Sequence, residues 1–479
     1  MEIIQYIKKI KKIIDKQIET DNYEQALVSA KVLSDIYYDY NQIYSDSALE
    51  QALLKIKMKV LTEESYLTDK KCVFFYDGFG LDLRGWAASY VRALTNLGYY
   101  VLYGCPEAAK GKIPHIISEL DNSNSKIIYF NNSLGKIDKA KKIDSIFKSY
   151  KPSAAFFYTT PSDVSAAIAF SNNNSTTRFQ VDLTDHAFWI GLNAFDYTIE
   201  CRKMGASLAL YERGINERQI LKLDCAPYII LDKLEEPYPF DIYNCKYVFT
   251  GGALYKTLGD KDLLYYKTIS YILDNFRDVK FLYAGNGDDS EIQKLIKKYP
   301  ERVFYINERA DFFEIIKNSL LYINSYPMFG GLMMRYAALA CKVPITLKHD
   351  HDADGILIDQ ENLGIEFENY QDYLKEIYKL LSDEKYREQQ ENRVQNAVIS
   401  EKAFAENIDL MIKEQKTKYS FDKIEKVDTS RFREEYKNRY NHLKLYETIA
   451  KKENISMLKY FPKEFIYVLY LKIKEKVFR

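Results

Sequence analysis

Apolar residues recur along the chain with two different spacings. In the first part they come three and four residues apart with charged residues between them, as at Ile3, Ile7, Ile10 and Ile14. This spacing places the apolar side chains on one face of a helix. We therefore predict a helical extension over residues 1–65.

From Lys71 onward, short apolar runs alternate with turn residues and with segments of helical spacing. Strands that alternate with helices in this way form βαβ units and lie side by side in a parallel sheet. We predict that residues 66–240 form a first doubly wound, Rossmann-like domain. Its expected strands are VFFY (73–76), YVLYGC (100–105), IIYF (127–130), AAFFYT (154–159) and TRFQVDL (177–183).

A second series of the same kind follows the proline-containing stretch 231–243, which has the composition of a linker. We predict a second Rossmann-like domain over residues 241–415 and further helices over 416–479. The predicted fold class is therefore α/β, with two doubly wound domains facing a cleft. The second series runs through strands within 246–252, 279–287, 302–307, 320–325 and 343–347, and through helices over 262–275, 292–298, 312–317 and after Gly330.

Charge and composition narrow the function classes. The chain of 479 residues carries 68 Lys and Arg and 68 Asp and Glu, so we expect no general affinity for nucleic acid. No stretch comes near the ~20 apolar residues that cross a bilayer, and the first residues lack the segregated apolar run of a signal peptide. We therefore expect a cytoplasmic protein. Its six cysteines are widely spaced without a C-x-x-C pair, which favours buried free thiols.

Glycines cluster in three turns of the second series, where strands give way to helices. Ligands of doubly wound folds bind at this edge of the sheet. Bare glycines let the backbone approach a phosphate, a nearby lysine can neutralise it, and a helix start offers free N–H groups. We predict a diphosphate site that needs no metal; the alternative for any single turn is a glycine that only closes it. The predicted binding residues are Gly251, Gly252 and Lys256 in the first turn, Gly285 and Asn286 in the second, and Tyr326, Pro327, Gly330, Gly331 and Leu332 in the third.

The second of these turns is not a dinucleotide fingerprint. The run Gly285-Asn286-Gly287 is followed by Ser290 at the position where G-x-G-x-x-G requires its third glycine. An NAD-dependent oxidoreductase is therefore disfavoured.

The order KYVFTGG, FLYAGNG and LLYINSYPMFGGLMMRYAALACKVPITL resembles the donor-binding half of GT-B glycosyltransferases, particularly those of family 4. The resemblance covers about residues 245–400. It implies a nucleoside-diphosphate sugar as co-substrate, expected to be UDP-linked, with its phosphates near Gly252, Lys256 and Gly330–Gly331 and its base near the 307–309 turn. It also implies that no catalytic metal and no further cofactor takes part.

One departure from family 4 concerns two glutamates that flank the helix before its A-x-G-x-P segment. Counted back from Pro344, these positions are Phe329 and Ala337, and the usual glycine is Lys342. The glutamate contacts with sugar and ribose are therefore not transferred to this chain. Neither the identity of the sugar nor the stereochemistry of the reaction follows.

In the first series, the turn over residues 76–86 resembles the first loop of GT-B enzymes, where acceptor and donor meet. On that resemblance, Asp77, Gly80, Asp82 and Arg84 are expected on the acceptor side. The alternative is that the polar residues of this turn cap helices or face solvent.

The segment 182–191 places Asp185 and His186 just beyond a predicted strand. It resembles a D-H-x-F-W-x-G stretch of bacterial GT-B proteins encoded in surface-polysaccharide loci. Glycosyl transfer requires deprotonation of the acceptor hydroxyl, and histidine titrates near neutral pH. We predict His186 as the catalytic base, oriented by Asp185. A contact with sugar or phosphate in a retaining enzyme, or an ordinary hydrogen-bonded histidine behind Trp189, remains open.

Two further groups of charged residues have open roles. Arg202 and Arg213 either reach a phosphate or pair with Glu200 and Glu212 as structural ions, and the second is the default expectation. The run 349–352, His-Asp-His-Asp, is the most metal-like cluster, but it has no second ligand group at defined spacing. We therefore predict no metal.

The C-terminal residues 451–479 combine eight Lys and Arg and three Glu with apolar side chains. Such an end either rests on an anionic membrane surface or packs back onto the N-terminal domain, as in GT-B proteins by resemblance. Both possibilities remain open at this point.

The sequence thus predicts a metal-independent enzyme that moves a hexose-type sugar from a nucleotide sugar to a glycan, a lipid-linked acceptor or a protein. One alternative is a catalytically silent GT-B subunit that serves a partner enzyme. Another is a different GT-B-fold enzyme, such as an epimerase or a glycerophosphotransferase. The acceptor and the oligomeric state do not follow from the sequence.

Overall fold

The computed structural model describes residues 2–82, 85–230, 236–348, 355–358 and 360–477. Helices dominate both ends of the chain and alternate with strands between them. In chain order the α-helices are α1 Ile3–Glu19, α2 Tyr23–Tyr40, α3 Ser47–Val60, α4 Ala87–Asn96, α5 Pro114–Asp121, α6 Lys136–Tyr150, α7 Val164–Phe170, α8 Lys203–Ser207, α9 Leu264–Asn275, α10 Ser290–Lys298, α11 Phe312–Asn318, α12 Gly331–Leu339, α13 Gln360–Leu363, α14 Tyr370–Ser382, α15 Glu384–Val394, α16 Glu401–Glu414, α17 Ser430–Arg439, α18 His442–Ile449 and α19 Pro462–Val477.

The strands form two sheets, and every strand pairing in them is parallel. The first sheet has the order β3-β2-β1-β4-β5-β6-β7 and the second β10-β9-β8-β11-β12-β13. The strands are β1 Asp69–Asp77, β2 Tyr100–Pro106, β3 Lys126–Phe130, β4 Pro152–Tyr158, β5 Thr177–Val181, β6 Tyr197–Glu200, β7 Ile220–Lys222, β8 Lys246–Gly251, β9 Val279–Ala284, β10 Val303–Ile306, β11 Leu321–Ile323, β12 Pro344–Leu347 and β13 Glu366–Phe367.

The chain divides into two compact units by its internal contacts, and each unit contains one of the sheets. Unit 1 comprises Met1–Glu200, Gly205–Leu223 and Ala405–Arg479. Unit 2 comprises Cys201–Met204 and Asp224–Phe404. Unit 1 is therefore assembled from three separate parts of the sequence.

Unit 1 is built around its seven-stranded sheet. In the central strands, residues 72–76 of β1 and most of β4 are buried apolar runs, as expected of parallel strands that are covered on both faces. Helices α1, α2 and α3 contribute their apolar faces to the same hydrophobic core as Phe74 and Tyr76 of β1. The predicted N-terminal helices are thus confirmed, and they form part of this core.

The C-terminal helices of unit 1 return to its N-terminal helices. The Tyr6 hydroxyl of α1 donates a hydrogen bond to Glu464 Oε1 of α19 at 2.5 Å, and its ring stacks on Phe461 at a centroid distance of 5.7 Å. Leu445 of α18 and Met457 are buried in the same core as Ile10. These contacts fix the inner face of α19.

Unit 2 is built around its six-stranded sheet. Its central residues Val248, Leu321 and Ile323 are fully buried. They belong to a core to which α9, α10, α12, α14 and α15 contribute apolar side chains. This arrangement positions the turns at the carboxyl edge of the strands.

The prediction of an α/β fold with two parallel sheets is confirmed. The differences concern β6, β7 and β13, which the sequence pattern did not reveal. They are four, three and two residues long, too short to display the run of apolar residues from which a strand is inferred.

Candidate functional site

The six-stranded sheet of unit 2 has a topological switch point between β8 and β11. The chain winds outward from β8 through β9 to β10 on one side, and from β11 through β12 to β13 on the other. Loops that diverge in this way leave a crevice at the carboxyl ends of the two strands, where ligands of such folds bind. The glycine turns after β8 and β11 lie at this edge.

Helix α12 begins at this edge with Gly330 as its N-cap residue. This residue has no side chain with which to cap the first turn, and that turn contains no acidic residue. The Gly330 N–H donates to Asn324 Oδ1 at 2.9 Å, which holds the helix start against the end of β11. The following N–H groups form the positive end of the helix dipole without a capping side chain. This is a backbone cradle suited to an anion.

Lys256 joins the two turns of the switch point. Its Nζ donates to the Phe329 carbonyl oxygen at 3.4 Å, and the Met328 N–H donates to the Lys256 carbonyl oxygen at 3.1 Å. Burial lowers the pKa of the Lys256 ammonium. Across the described ranges, no carboxylate forms an ion pair with it. A partly buried cation of this kind is stabilised when an anion accompanies it.

The glycines after β8 and β9 have different reasons to be glycine. A Cβ on Gly285 would lie 1.8 Å from the Gly252 carbonyl oxygen, so the two turns pack too closely for any side chain. Gly252 has a φ of +135° and open space beside it. A Cβ on Gly251 would meet Met333 Cε at 2.7 Å. Gly285 is therefore explained by packing, whereas Gly252 leaves room next to its backbone.

The other predicted binding residues of unit 2 lie in the same turns. The Leu254 N–H donates to the Asn286 carbonyl oxygen at 2.9 Å, and Asn286 Nδ2 donates to Glu308 Oε2 at 3.1 Å. The Tyr326–Pro327 peptide is cis. Leu332, in the first turn of α12, is partly buried. All these residues are brought to one edge, and their contact with a ligand stays a prediction.

The 307–309 turn, where the base is expected, is held by a buried arginine. Arg309 forms two hydrogen bonds with the Asp311 carboxylate, both at 2.8 Å, and donates to the Glu236 carbonyl oxygen at 2.8 Å. Arg309 therefore serves as a structural ion that fixes this turn.

The positions that carry glutamates in family 4 are occupied differently here. Ala337 is fully buried within the core of unit 2. The Arg202 guanidinium lies over the Phe329 ring at 5.7 Å from its centroid. Lys342 pairs with Glu391 at 3.2 Å. The positive charge of Arg202 thus lies next to Phe329, the residue that precedes Gly330.

In unit 1, the turn after β1 is held together by Asp77. Its carboxylate is buried and accepts hydrogen bonds from the Phe79 and Gly80 N–H groups, at 2.8 and 2.9 Å, and from the Tyr103 hydroxyl. Burial raises the pKa of Asp77 to about 6, against the effect of these hydrogen bonds. Gly80 has a φ of +64°, and a Cβ there would lie 2.7 Å from Ala109 Cβ. These contacts explain both residues structurally.

Asp82 caps helix α5. Its Oδ2 lies 2.5 Å from His115 Nδ1, and its Oδ1 accepts from the Ile116 N–H at 3.2 Å. Capping was the alternative considered for this residue. Arg84 lies outside the described residues, as does the run 349–352. The acceptor-side role of this turn stays a prediction.

His186 and Asp185 lie in the loop that follows β5. His186 Nδ1 is 3.3 Å from Asp185 Oδ1, and the imidazole is about one-third exposed, with 32% side-chain accessibility. Asn41 Nδ2 donates to the His186 carbonyl oxygen at 3.0 Å. If Asp185 accepts the Nδ1 proton, the other ring nitrogen is left as a proton acceptor. The geometry within unit 1 is therefore compatible with a base.

Two buried carboxylates near the loop that carries His186 were not among the predicted site residues. Asp182 follows β5 and Glu200 ends β6, the neighbouring strand. A Cβ on Gly205 would lie 2.3 Å from Glu200 Oε2 and 2.8 Å from Asp185 Oδ2. The carboxylates of Glu200 and Asp185 therefore both lie against this glycine. Acidic residues at the ends of consecutive strands were the signal that could have revealed them.

Arg213 provides positive charge next to these carboxylates. Its Nη2 donates to the carbonyl oxygens of Asp185 and Ala187, both at 2.7 Å, and its guanidinium lies 4.7 Å from the Trp189 ring centroid. Glu212 pairs with Arg433 instead, at 2.7 Å. Arg213 thus holds the loop that carries His186.

The acidic cluster has perturbed protonation. Burial raises the pKa of Asp182 to about 6, although Arg213 and a hydrogen bond from Trp189 act in the opposite direction. Burial also raises the pKa of Glu200 well above its ordinary value, with Asp182 and Asp185 adding to the effect. Oδ1 of Asp182 and Oε2 of Glu200 have no hydrogen-bond partner within the described part of the chain. The cluster therefore favours holding protons.

We expect Asp182→Asn to stabilise the protein at alkaline pH. Because the pKa of this buried carboxyl is raised to about 6, the folded state retains a proton that the unfolded chain releases between about pH 4 and pH 6. The free energy of unfolding therefore falls as the pH rises through this window. The neutral amide removes that loss and still accepts a hydrogen bond from Trp189 Nε1. We therefore expect the free energy of unfolding to exceed that of the wild type by about 1–2 kcal/mol at about pH 8, and to equal it below about pH 4.

Urea unfolding at the two pH values measures this effect. The exposed Asp262→Asn variant is the control, and its stability should follow that of the wild type at both pH values. A loss of stability in Asp182→Asn at alkaline pH would mean that the ionised carboxylate is needed by Arg213.

The described residues contain no group of three or more His, Cys, Asp and Glu side chains placed to hold a metal ion. None of the helices found there has both the length and the apolar character that a bilayer span requires.

Comparison by sequence finds no relative: no protein-family model and no curated protein sequence matches this chain. Comparison by structure does find similar proteins. A glycosyltransferase from Rickettsia africae is 15% identical with a TM-score of 0.53, over 72% of this chain and 98% of that one. The UDP-GlcNAc 2-epimerase from Neisseria meningitidis, bound to UDP-GlcNAc, is 13% identical with a TM-score of 0.50, over 70% and 98%.

A further UDP-N-acetylglucosamine 2-epimerase is 13% identical with a TM-score of 0.51, over 75% of this chain and 99% of that one. At such identities the likeness concerns the fold. The chain has the GT-B fold, as its two parallel doubly wound sheets also indicate.

Proposed function

We propose that this protein is a glycosyltransferase that moves a hexose-type sugar from a UDP-sugar to a glycan, a lipid-linked acceptor or a protein. Unit 2 binds the nucleotide sugar at the switch point between β8 and β11. The donor is a co-substrate, and the reaction requires no resident cofactor or metal.

The observation that carries this proposal is the pairing of Lys256 with the uncapped start of α12. The helix offers main-chain N–H groups at Gly331 and the residues that follow, and its first turn contains no acidic residue. Lys256 Nζ donates a hydrogen bond to the Phe329 carbonyl oxygen of the adjacent turn, and burial lowers the pKa of Lys256. Both features favour a bound dianionic or trianionic group, and a diphosphate matches that chemistry.

The chemistry that this arrangement supports is loss of a diphosphate leaving group. The bond between the anomeric carbon and the β-phosphate oxygen breaks, and its electron pair goes to UDP. A bond forms between the anomeric carbon and the acceptor oxygen, whose proton passes to a base. Positive charge at Lys256 and at the α12 start stabilises the charge that develops on the leaving phosphate.

For the base we propose His186, with Asp185 orienting the imidazole through Nδ1. Histidine accepts a proton efficiently near neutral pH, and the raised pKa of Asp182 and Glu200 limits the negative charge beneath it. In a retaining enzyme, His186 would instead contact the sugar or the phosphate.

A second candidate is a UDP-sugar epimerase. It is favoured by the structural similarity to two UDP-N-acetylglucosamine 2-epimerases. The match covers 98% and 99% of the length of those two chains. The same diphosphate cradle serves both reactions. The two functions differ in what happens to the sugar after the anomeric bond breaks.

Incubation of the full chain with UDP-sugars distinguishes the candidates. We expect UDP and UDP-sugars to raise the melting temperature more than GDP, ADP or CMP do, and we expect UDP release that increases with added acceptor. Inversion at C2 of the sugar, detected by NMR, would identify the epimerase instead. No nucleotide-dependent shift at all would leave the chain as a silent subunit.

Lys256→Met should weaken UDP binding by about 10- to 100-fold, the value of a charge-assisted hydrogen bond. The melting temperature should not fall, because the substitution removes a partly buried ammonium whose pKa is already lowered. Titration calorimetry with UDP measures the loss. Lys261→Met is the matched control, since Lys261 is an exposed lysine of the same loop. Equal affinity of both variants would place the phosphates elsewhere.

A further inference from the structure

One face of α19 in unit 1 is apolar and exposed. Ile466, Leu469, Tyr470 and Ile473 have exposed fractions of 67, 59, 58 and 54%. Their spacing of three, four and seven residues places them in one stripe along the helix. We call these four residues the outer stripe. Contiguous apolar surface of this kind usually marks a binding surface.

The opposite face of α19 is firmly attached to unit 1. Val468 is buried, and Glu464 accepts the hydrogen bond from Tyr6 described above. The Tyr467 ring contacts the Tyr446 ring at 5.6 Å. The outer stripe therefore faces away from unit 1, because the opposite face of α19 packs against it.

Lysines border the outer stripe on both sides. Lys463 and Lys474 lie in the helical row that passes through Tyr470, and Lys472 lies on the other side, beyond Leu469. All three are exposed. The segment 451–479 carries eight Lys and Arg against three Glu. An apolar stripe between lysines is the pattern of a helix that lies in a membrane interface.

The segment before α19 extends this apolar surface. Ile455 and Leu458, in the short 3-10 segment Lys452–Lys459, are 61% and 39% exposed. This segment contacts α19 directly. More than one element of this end of unit 1 thus exposes apolar side chains next to lysines.

We propose that the outer stripe and its flanking lysines bind the surface of an anionic lipid bilayer. The helix lies in the plane of the interface, with the apolar side chains among the acyl chains and the lysines among the headgroups. It does not cross the bilayer, since no helix in the described ranges is long and apolar enough. A symmetric contact between two copies is disfavoured, because it would bring the lysines of both helices together.

Vesicle flotation with the full chain tests this proposal, and it needs no substrate. It is therefore independent of the proposed glycosyltransferase activity. We expect binding to vesicles that contain phosphatidylglycerol and much weaker binding to phosphatidylcholine vesicles. High salt should weaken the binding to phosphatidylglycerol, because screening removes the electrostatic part.

Two pairs of substitutions separate the apolar from the electrostatic part. Leu469→Glu with Ile473→Glu should reduce partitioning by more than about tenfold. Lys463→Gln with Lys474→Gln should reduce it by about fivefold for each lysine removed, and only with phosphatidylglycerol present. The control pair is Met58→Glu with Leu67→Glu, which places the same charges at exposed apolar residues elsewhere in unit 1.

Several results would overturn the proposal. One is the absence of binding to phosphatidylglycerol vesicles at low salt. Another is equal loss of binding in the control pair. A third combines two measurements: the wild type binds no vesicles and sediments as a dimer, and Leu469→Glu with Ile473→Glu converts this dimer to a monomer. That result would assign the outer stripe to a second copy of the chain. Circular dichroism confirms that each variant is folded.

Discussion

Gly330→Asp should abolish measurable binding of UDP. The new carboxylate would stand at the start of α12, where the proposed diphosphate accepts main-chain hydrogen bonds. Like charges in such contact cost several kcal/mol, so we expect the affinity measured by calorimetry to fall by more than about a hundredfold. The fold should persist, because Gly330 has a φ of −104° and aspartate is a favoured N-cap residue.

The matched control is Gly330→Ala. A Cβ at this position meets nothing closer than Asn324 Oδ1 and Tyr322 Oη, both at 3.5 Å, which is ordinary contact. Alanine should therefore leave UDP affinity close to that of the wild type. If Gly330→Asp also bound UDP as well as the wild type, α12 would be a structural helix without a ligand, and the proposed donor site would be wrong.

The edge of the sheet at which these turns lie could be predicted from the sequence. Each glycine turn comes directly after an apolar run, and parallel strands present their carboxyl ends at one edge. That β8 and β11 are neighbours at the switch point is seen only in the structure. The sequence could also show that Gly330 and Gly331 open a helix, because an apolar helical run follows them.

What the sequence could not show is how each residue of that site is held. The environment of Lys256 depends on the turn after β11, 73 residues away in the chain, whose Phe329 carbonyl accepts its hydrogen bond. Gly285 resembles a ligand-binding glycine in sequence, but its reason is the 1.8 Å approach to Gly252. Long-range packing of this kind leaves no local pattern.

The acidic cluster of unit 1 was missed for a related reason. Asp182 and Glu200 are 18 positions apart, and they come together only because β5 and β6 are neighbours. Strand β6 has four residues, too few to be recognised from periodicity. Asp77 is a related case: the sequence places it in a turn, on the acceptor side by resemblance, but does not show that it is buried and accepts a hydrogen bond from Tyr103 of the adjacent strand.

His186→Ala should lower the turnover number by about a hundredfold, the usual contribution of a general base. The affinity for UDP should change little, because the proposed phosphate contacts belong to unit 2. If His186 accepts the acceptor proton, the loss should fall on the turnover number and leave the KM for the donor unchanged.

The matched control is His442→Ala, because His442 is an exposed histidine at the start of α18 in the same unit. Its turnover number and its KM for the donor should equal those of the wild type. Asp185→Asn should give an intermediate loss, since the amide still lies next to Nδ1 but no longer favours its proton. Wild-type turnover in His186→Ala would remove His186 from the mechanism, and a raised KM for the donor with unchanged turnover would make it a binding residue.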